Sequence, residues 1–118
     1  MTVCWVVVLA FVTAPLSAAG VGPVEDAGKE VYRRWCSACH APGERHPGTG
    51  ALAAKYAGQQ PAALERRRDL EPDAVRYIVR QGISVMPSFR KTEITDAQLD
   101  ALAHYLRSTS ARAVGGNR

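Results

Sequence analysis

The residues of this chain best suited to chemistry are few and adjacent. Cys36, Cys39 and His40 stand in Cys36-Ser37-Ala38-Cys39-His40, a C-x-x-C-H run. Two thiols three positions apart can each form a thioether with one vinyl group of the same porphyrin, and the histidine that follows brings its imidazole under the iron. A covalently retained haem needs no large cavity, which suits a chain of 118 residues. Two other chemistries use the same residue types. A dithiol redox pair wants a βαβ context, whereas Val31, Tyr32 and Trp35 ahead of the motif fall at helical spacing. A zinc site wants four ligands; Cys36, Cys39 and His40 supply three, and only His46 lies nearby.

A haem held by one histidine leaves one face of the iron open, and a methionine thioether often closes it in electron carriers. Met86 is the one methionine besides Met1, and it precedes Pro87. Proline fixes its own φ and disfavours helix at the residue before it. Gly82 reads as the C-cap of a preceding helix. Met86 is therefore expected on a stiff loop between two helices, its sulfur available as a ligand. His46 and His104 are the other candidates, His46 in a turn and His104 opposite the apolar face of the last helix.

The elements that must position these groups read as helices. The first is expected from about Asp26, as N-cap, into the C-x-x-C-H motif. Residues 41–50, with Pro42, Gly43, Pro47, Gly48 and Gly50, read as a loop. Ala51 to Tyr56 reads as a short helix ended by Gly58, and Pro61 as N1 of another running through Arg67. Glu71-Pro72-Asp73 starts a stronger helix with Val75, Ile78 and Val79 on one face. The last helix has Thr95 and Gln98 as a capping box, then Leu99, Leu102, Ala103 and Leu106 at helical spacing. From Ser108 the tail is small and polar and is expected to fray. No segment alternates with period two, so the fold class is all-α.

In this order of parts — Gly28 and Tyr32, C-x-x-C-H, a loop, Met86-Pro87, then Tyr105-Leu106 — the chain resembles class I cytochrome c, the small monohaem electron carriers, over about residues 26–108. The resemblance implies thioethers at Cys36 and Cys39, His40 as proximal iron ligand, Met86 as distal ligand, and one covalent haem c. It also implies N- and C-terminal helices packed together, with Gly28 meeting Tyr105. The family often has Gly-Pro-x-Leu after the haem motif, whose backbone carbonyl accepts the proton of the histidine Nδ1. Here the stretch is His46-Pro47-Gly48-Thr49-Gly50-Ala51-Leu52, and Pro47 is the expected acceptor. Leu52, Ile83, Val85 and Phe89 are expected pocket walls, while Tyr56, Trp35 and Arg80 read mainly as packing or surface residues, with contact to the haem propionates as the alternative.

A second resemblance is finer. Pro47-Gly48-Thr49, Lys55-Tyr56, Leu64-Glu65, Asp69-Leu70, Met86-Pro87 and Phe89 to Ile94 are similar to cytochrome subunits of the p-cresol methylhydroxylase and eugenol hydroxylase type, where a flavoprotein oxidises a 4-alkylphenol and the cytochrome removes the electrons. The expected partners are redox proteins, among them such a flavoprotein dehydrogenase. The expected role is single-electron transfer to the respiratory chain rather than enzyme catalysis. The alternative is a haem-based sensor or a peroxidase-like protein with a labile sixth ligand.

Val3 to Val12 is an apolar run followed by small residues, the pattern of a secretory leader cleaved after Ala19. The run is too short for an ordinary membrane span. No Lys or Arg precedes Lys29, so the leader lacks a positive start and an uncleaved anchor is the alternative. The expected organisation is a signal peptide over 1–19 and one monohaem domain over 20–118 with a frayed tail at 109–118, located in the periplasm. The formal charge is +4. Arg90-Lys91, next to the methionine loop, could steer an acidic partner; Arg66-Arg67-Arg68 reads as a solvated face. Interspersed acids argue against nucleic-acid binding.

Overall fold

Pro23 opens the first helix, α1 (Pro23–Val31), with Gly22 as N-cap. The start lies ahead of the expected Asp26 because proline at N1 has its φ preset and no N–H to leave unpaired. Glu25 and Asp26 fall instead in the first turn, where carboxylates favour the helix dipole. The structure is a computed structural model describing residues 22–115; the expected leader and residues 116–118 lie outside the described residues.

The helix does not stop at Val31. It widens into a π turn over Tyr32–Cys36, where the Ser37 N–H donates to the Tyr32 carbonyl, and resumes as α2 (Ser37–His40). One extra residue in a turn rotates everything after it by about 100°. His40 would stand roughly 80° away from Tyr32 on an unbroken helix and is brought back toward its face.

The next helix, α3 (Pro47–Tyr56), begins before the expected Ala51 for the same reason as α1: Pro47 sits at N1. Residues expected to lie in a loop, Pro47 to Gly50, are thus helical. It ends at Ala57 and Gly58, both at positive φ. Pro61 opens no helix; the expected one shrinks to a 3₁₀ turn, Leu64–Arg66. Arg67 explains this. Its guanidinium is buried and donates to Asp69 Oδ1 at 2.8 Å, Gln60 Oε1 at 2.9 Å and the Tyr56 hydroxyl at 3.3 Å. Those bonds fold the segment around a cation, so the middle arginine of the triplet is not on a solvated face.

Helix α4 (Pro72–Gln81) and helix α5 (Asp96–Gly115) follow. The capping box forms as expected: Gln98 N–H donates to Thr95 Oγ1 at 3.2 Å, and Thr95 N–H to Gln98 Oε1 at 2.9 Å. From Ser108 to Gly115 the described chain stays helical rather than frayed. Ser108 donates to Glu25 Oε1 at 2.8 Å, Ser110 is buried and donates to the Arg67 carbonyl, and Arg112 pairs with Glu25. Its small polar side chains fit beneath neighbouring elements, which composition alone does not reveal.

No described residue belongs to a strand, and the architecture is the all-α class I cytochrome c fold. Helices α1 and α5 cross closely at Gly28, where a Cβ would overlap the Ala101 carbonyl and stand 2.6 Å from Tyr105 Cβ. The expected meeting of Gly28 with Tyr105 is therefore present. Beside it the Tyr32 and Tyr105 rings lie 5.9 Å apart. Val31, Leu99, Leu102 and Leu106 fill the crossing, and Val75 and Val79 bring α4 onto it. A fully buried aliphatic side chain such as Leu102 contributes about 1.5–3 kcal/mol.

Replacing Gly28 by Ala tests the crossing. Helix propensity alone would raise stability by roughly 0.5–1 kcal/mol. The overlap with Ala101 reverses the sign, and the expected result is a net loss of about 1–3 kcal/mol in denaturant unfolding.

Candidate haem site

Cys36 closes the π turn. It is buried, while Cys39, three residues on, is exposed. Burial, followed by the neighbouring Cys39, pushes the Cys36 thiol up to about 12. A working dithiol pair needs a thiolate near neutral pH, so this environment argues against that chemistry. Among the described residues no three His, Cys, Asp or Glu side chains are gathered as a metal ion would require. The zinc alternative has no support from the geometry.

His40 ends α2 and packs against the first turn of α3. Gly48 is so close that a Cβ there would stand 2.6 Å from His40 Cε1 and 2.7 Å from the Cys39 carbonyl oxygen. Burial lowers the imidazole pKa, so the ring is held neutral, the form that binds a metal. Its Nδ1 is buried without a hydrogen-bond partner, and the Pro47 carbonyl does not accept from it. The physical reason is the early start of α3. As N1 of a helix, Pro47 has its carbonyl turned along the helix axis toward the fourth residue ahead.

Met86 lies on a short, braced loop. Gly82 ends α4 at φ 72°, and a Cβ there would stand 2.7 Å from the Met86 carbonyl oxygen. Ile83 and Met86 exchange backbone bonds of 3.2 and 2.9 Å around Ser84, which takes φ 53°. Beyond Pro87, Phe89 N–H donates to the Val79 carbonyl at 2.9 Å. Arg80 donates to the Phe89 carbonyl at 3.0 Å and pairs with Asp96 at 2.8 Å. Met86 and Phe89 pack against the same core cluster that contains Cys36. Trp35 meets Phe89 edge to face, with centroids 5.8 Å apart. Among the other expected walls, Leu52 is half-buried, whereas Ile83 and Val85 are 55% and 91% exposed.

Neither alternative histidine is poised as a ligand. His46 Nδ1 lies 2.9 Å from the Ala38 carbonyl, and His104 is exposed on α5 beside Pro23 and Val24. Arg90 and Lys91 are exposed and partly paired: Lys91 shares Asp96 with Arg80, at 2.7 Å, and Arg90 lies 3.8 Å from Glu93. Arg80 and Tyr56 hydrogen-bond within the protein and Trp35 packs on Phe89. Sequence reasoning missed Gly48 and Thr49 as site residues. The Gly-Thr pair directly after a proline was the available signal, but its partners lie eight residues back, a spacing no helix or strand pattern marks.

The donor set fits a covalent haem c. It comprises two thiols three residues apart, a neutral imidazole whose Nδ1 is enclosed, a soft thioether on a braced loop, and apolar side chains beside that loop. A family model described as cytochrome C oxidase, cbb3-type, subunit III, matches residues 23–106. The chain belongs to this family of class I c-type cytochromes. No curated protein and no solved structure matches it. The cytochrome carries covalently bound haem c with iron, and its activity is that of a monohaem electron-transfer protein. No described helix is long and apolar enough to cross a membrane.

Gly48→Ala separates packing on the imidazole from helix propensity. Alanine in the first turn of α3 would by propensity stabilise by roughly 0.5–1 kcal/mol. With His40 Cε1 in its path, the expected outcome is a lower midpoint in urea unfolding and a changed visible spectrum of the holoprotein.

Proposed function

We propose that this cytochrome is a periplasmic electron carrier in which Cys36 and Cys39 hold the haem by thioethers and His40 and Met86 are the two axial ligands. The observation that carries the proposal is the joint placement of the motif and the methionine loop. The π turn buries Cys36 in the cluster on which Met86 packs, and that loop is bonded to the end of α4 on both sides of Met86. When bound, haem c supplies a one-electron ferric–ferrous couple. The chain contributes two ligands on braced elements, so little has to move when charge changes. A neutral imidazole and a thioether are uncharged ligands, and with apolar walls they favour the ferrous state.

The donor proposed is a flavin-dependent phenol-oxidising dehydrogenase, and the acceptor a component of the respiratory chain. The support is the resemblance of Pro47-Gly48-Thr49, Lys55-Tyr56 and Met86-Pro87 through Ile94 to cytochrome subunits of that group. The periplasmic location is supported by the apolar run Val3 to Val12 and the small residues that follow it.

Expression with haem-maturation machinery, followed by visible spectra in both oxidation states, tests the ligands. The expected ferric protein shows the far-red band of methionine–iron ligation, and its reduced form does not bind carbon monoxide. Met86→Ala is expected to lose the band and gain carbon monoxide binding. A wild-type protein without the band would overturn the ligand assignment in favour of a sensor or peroxidase-like site. Mixing the ferric protein with a purified flavoprotein of this type and a 4-alkylphenol is expected to reduce it within the enzyme's turnover time. Absence of reduction would remove that partner.

A further inference from the structure

The carbonyls at the end of α2 are short of donors. Ala38 would be bonded by the N–H four residues ahead, but that residue is Pro42, which has none. The Ala41 N–H, one residue nearer, is already donated to the Ser37 carbonyl at 3.0 Å. His46 fills the gap with Nδ1 at 2.9 Å from the Ala38 oxygen. A carbonyl only accepts, so this nitrogen carries the proton. Thr49, which is buried, does the same for Ala41, its hydroxyl donating at 2.8 Å.

These two side chains belong to the first turn of α3 and bracket Gly48. Between them Gly48 meets the His40 ring and the Cys39 carbonyl. The ring itself has no hydrogen bond at Nδ1 to fix its plane. The ring lies against the surface of Gly48, and the height of that surface is set by the two bonds from α3 to α2. The family's frequent Gly-Pro-x-Leu has glycine where this chain has His46, so the bond from His46 belongs to this chain's own arrangement.

We infer that His46 is a positioning residue for the His40 imidazole: its bond to the Ala38 carbonyl, with that of Thr49 to Ala41, locks Gly48 against the ring and sets the ring plane. The inference rests on the proposal that His40 ligates the iron. A residue that merely capped a helix would affect stability and leave the ring alone, so the test reads the ring.

The experiment is proton NMR of the ferric holoprotein, where the order and spread of the four haem-methyl shifts follow the planes of the axial ligands. It compares wild type, His46→Ala and His46→Asn, the amide nitrogen of asparagine standing where the imidazole Nδ1 stood. The expected result is a changed methyl pattern and a Tm lower by roughly 4–8 °C in His46→Ala, with both restored in His46→Asn. An unchanged pattern in His46→Ala would overturn the inference whatever happens to Tm. So would an asparagine variant that recovers Tm but not the pattern, since asparagine is itself a good N-cap. Should His46→Ala fail to fold, Thr49→Val removes the second bond at nearly constant volume. A smaller change in the methyl pattern is then expected, and none would count against the inference. Failure of the ligand assignment shows separately, as a wild-type spectrum lacking shifted methionine resonances.

Discussion

Close crossing of α1 and α5 at Gly28 is the contact on which the remaining geometry rests. With no Cβ at this position, the α1 backbone approaches the Ala101 carbonyl directly. That distance stacks Tyr32 near Tyr105 and admits Leu99, Leu102 and Leu106 beneath α1. Since α1 continues into α2, its orientation at Gly28 also aims the cysteines and His40. The π turn between them then decides which of those side chains face inward. Such a widening costs hydrogen-bond quality, and it persists here because Tyr32 and Cys36 are both buried by it.

Two short segments carry the rest of the site, and the same device stiffens both. Pro42 and Pro87 each remove a backbone donor. At the end of α2 the His46 side chain answers that loss and Thr49 bonds the Ala41 carbonyl, while beyond Pro87 the Phe89 N–H donates to the Val79 carbonyl and Arg80 donates to the Phe89 carbonyl. A typical intramolecular hydrogen bond contributes about 0.5–1.5 kcal/mol net, and several on one short segment together hold it. Stiff segments suit a carrier whose charge changes and whose shape need not.

Charge on this protein is mostly tied down. Arg80 and Lys91 share Asp96, Arg76 binds Asp73 and Asp100, and Arg107 binds Glu71. Exposed pairs of this kind contribute little stability, and they reduce the positive field that the sequence suggested near the methionine loop. Arg67 is a different case: buried beneath Tyr56 and bonded to Asp69, it organises the segment between α3 and α4. A run of three arginines thus divides into one structural cation and two exposed ones.

By itself the sequence determined the cofactor chemistry, the helical class, the capping box and the close glycine at the first helix. Each of these rests on residues adjacent in the chain or one helical period apart, so the pattern is visible in one dimension. The extension of α5 past Ser108 and the early starts of α1 and α3 were not. Proline at N1 competes with its use in a turn, and small polar residues look alike whether frayed or buried. Tertiary structure alone decided the π turn, the burial of Arg67, the missing acceptor at His40 Nδ1 and the bond from His46 to Ala38. All four depend on which donor meets which acceptor once distant segments are packed, and packing follows from the whole chain rather than from any window of it.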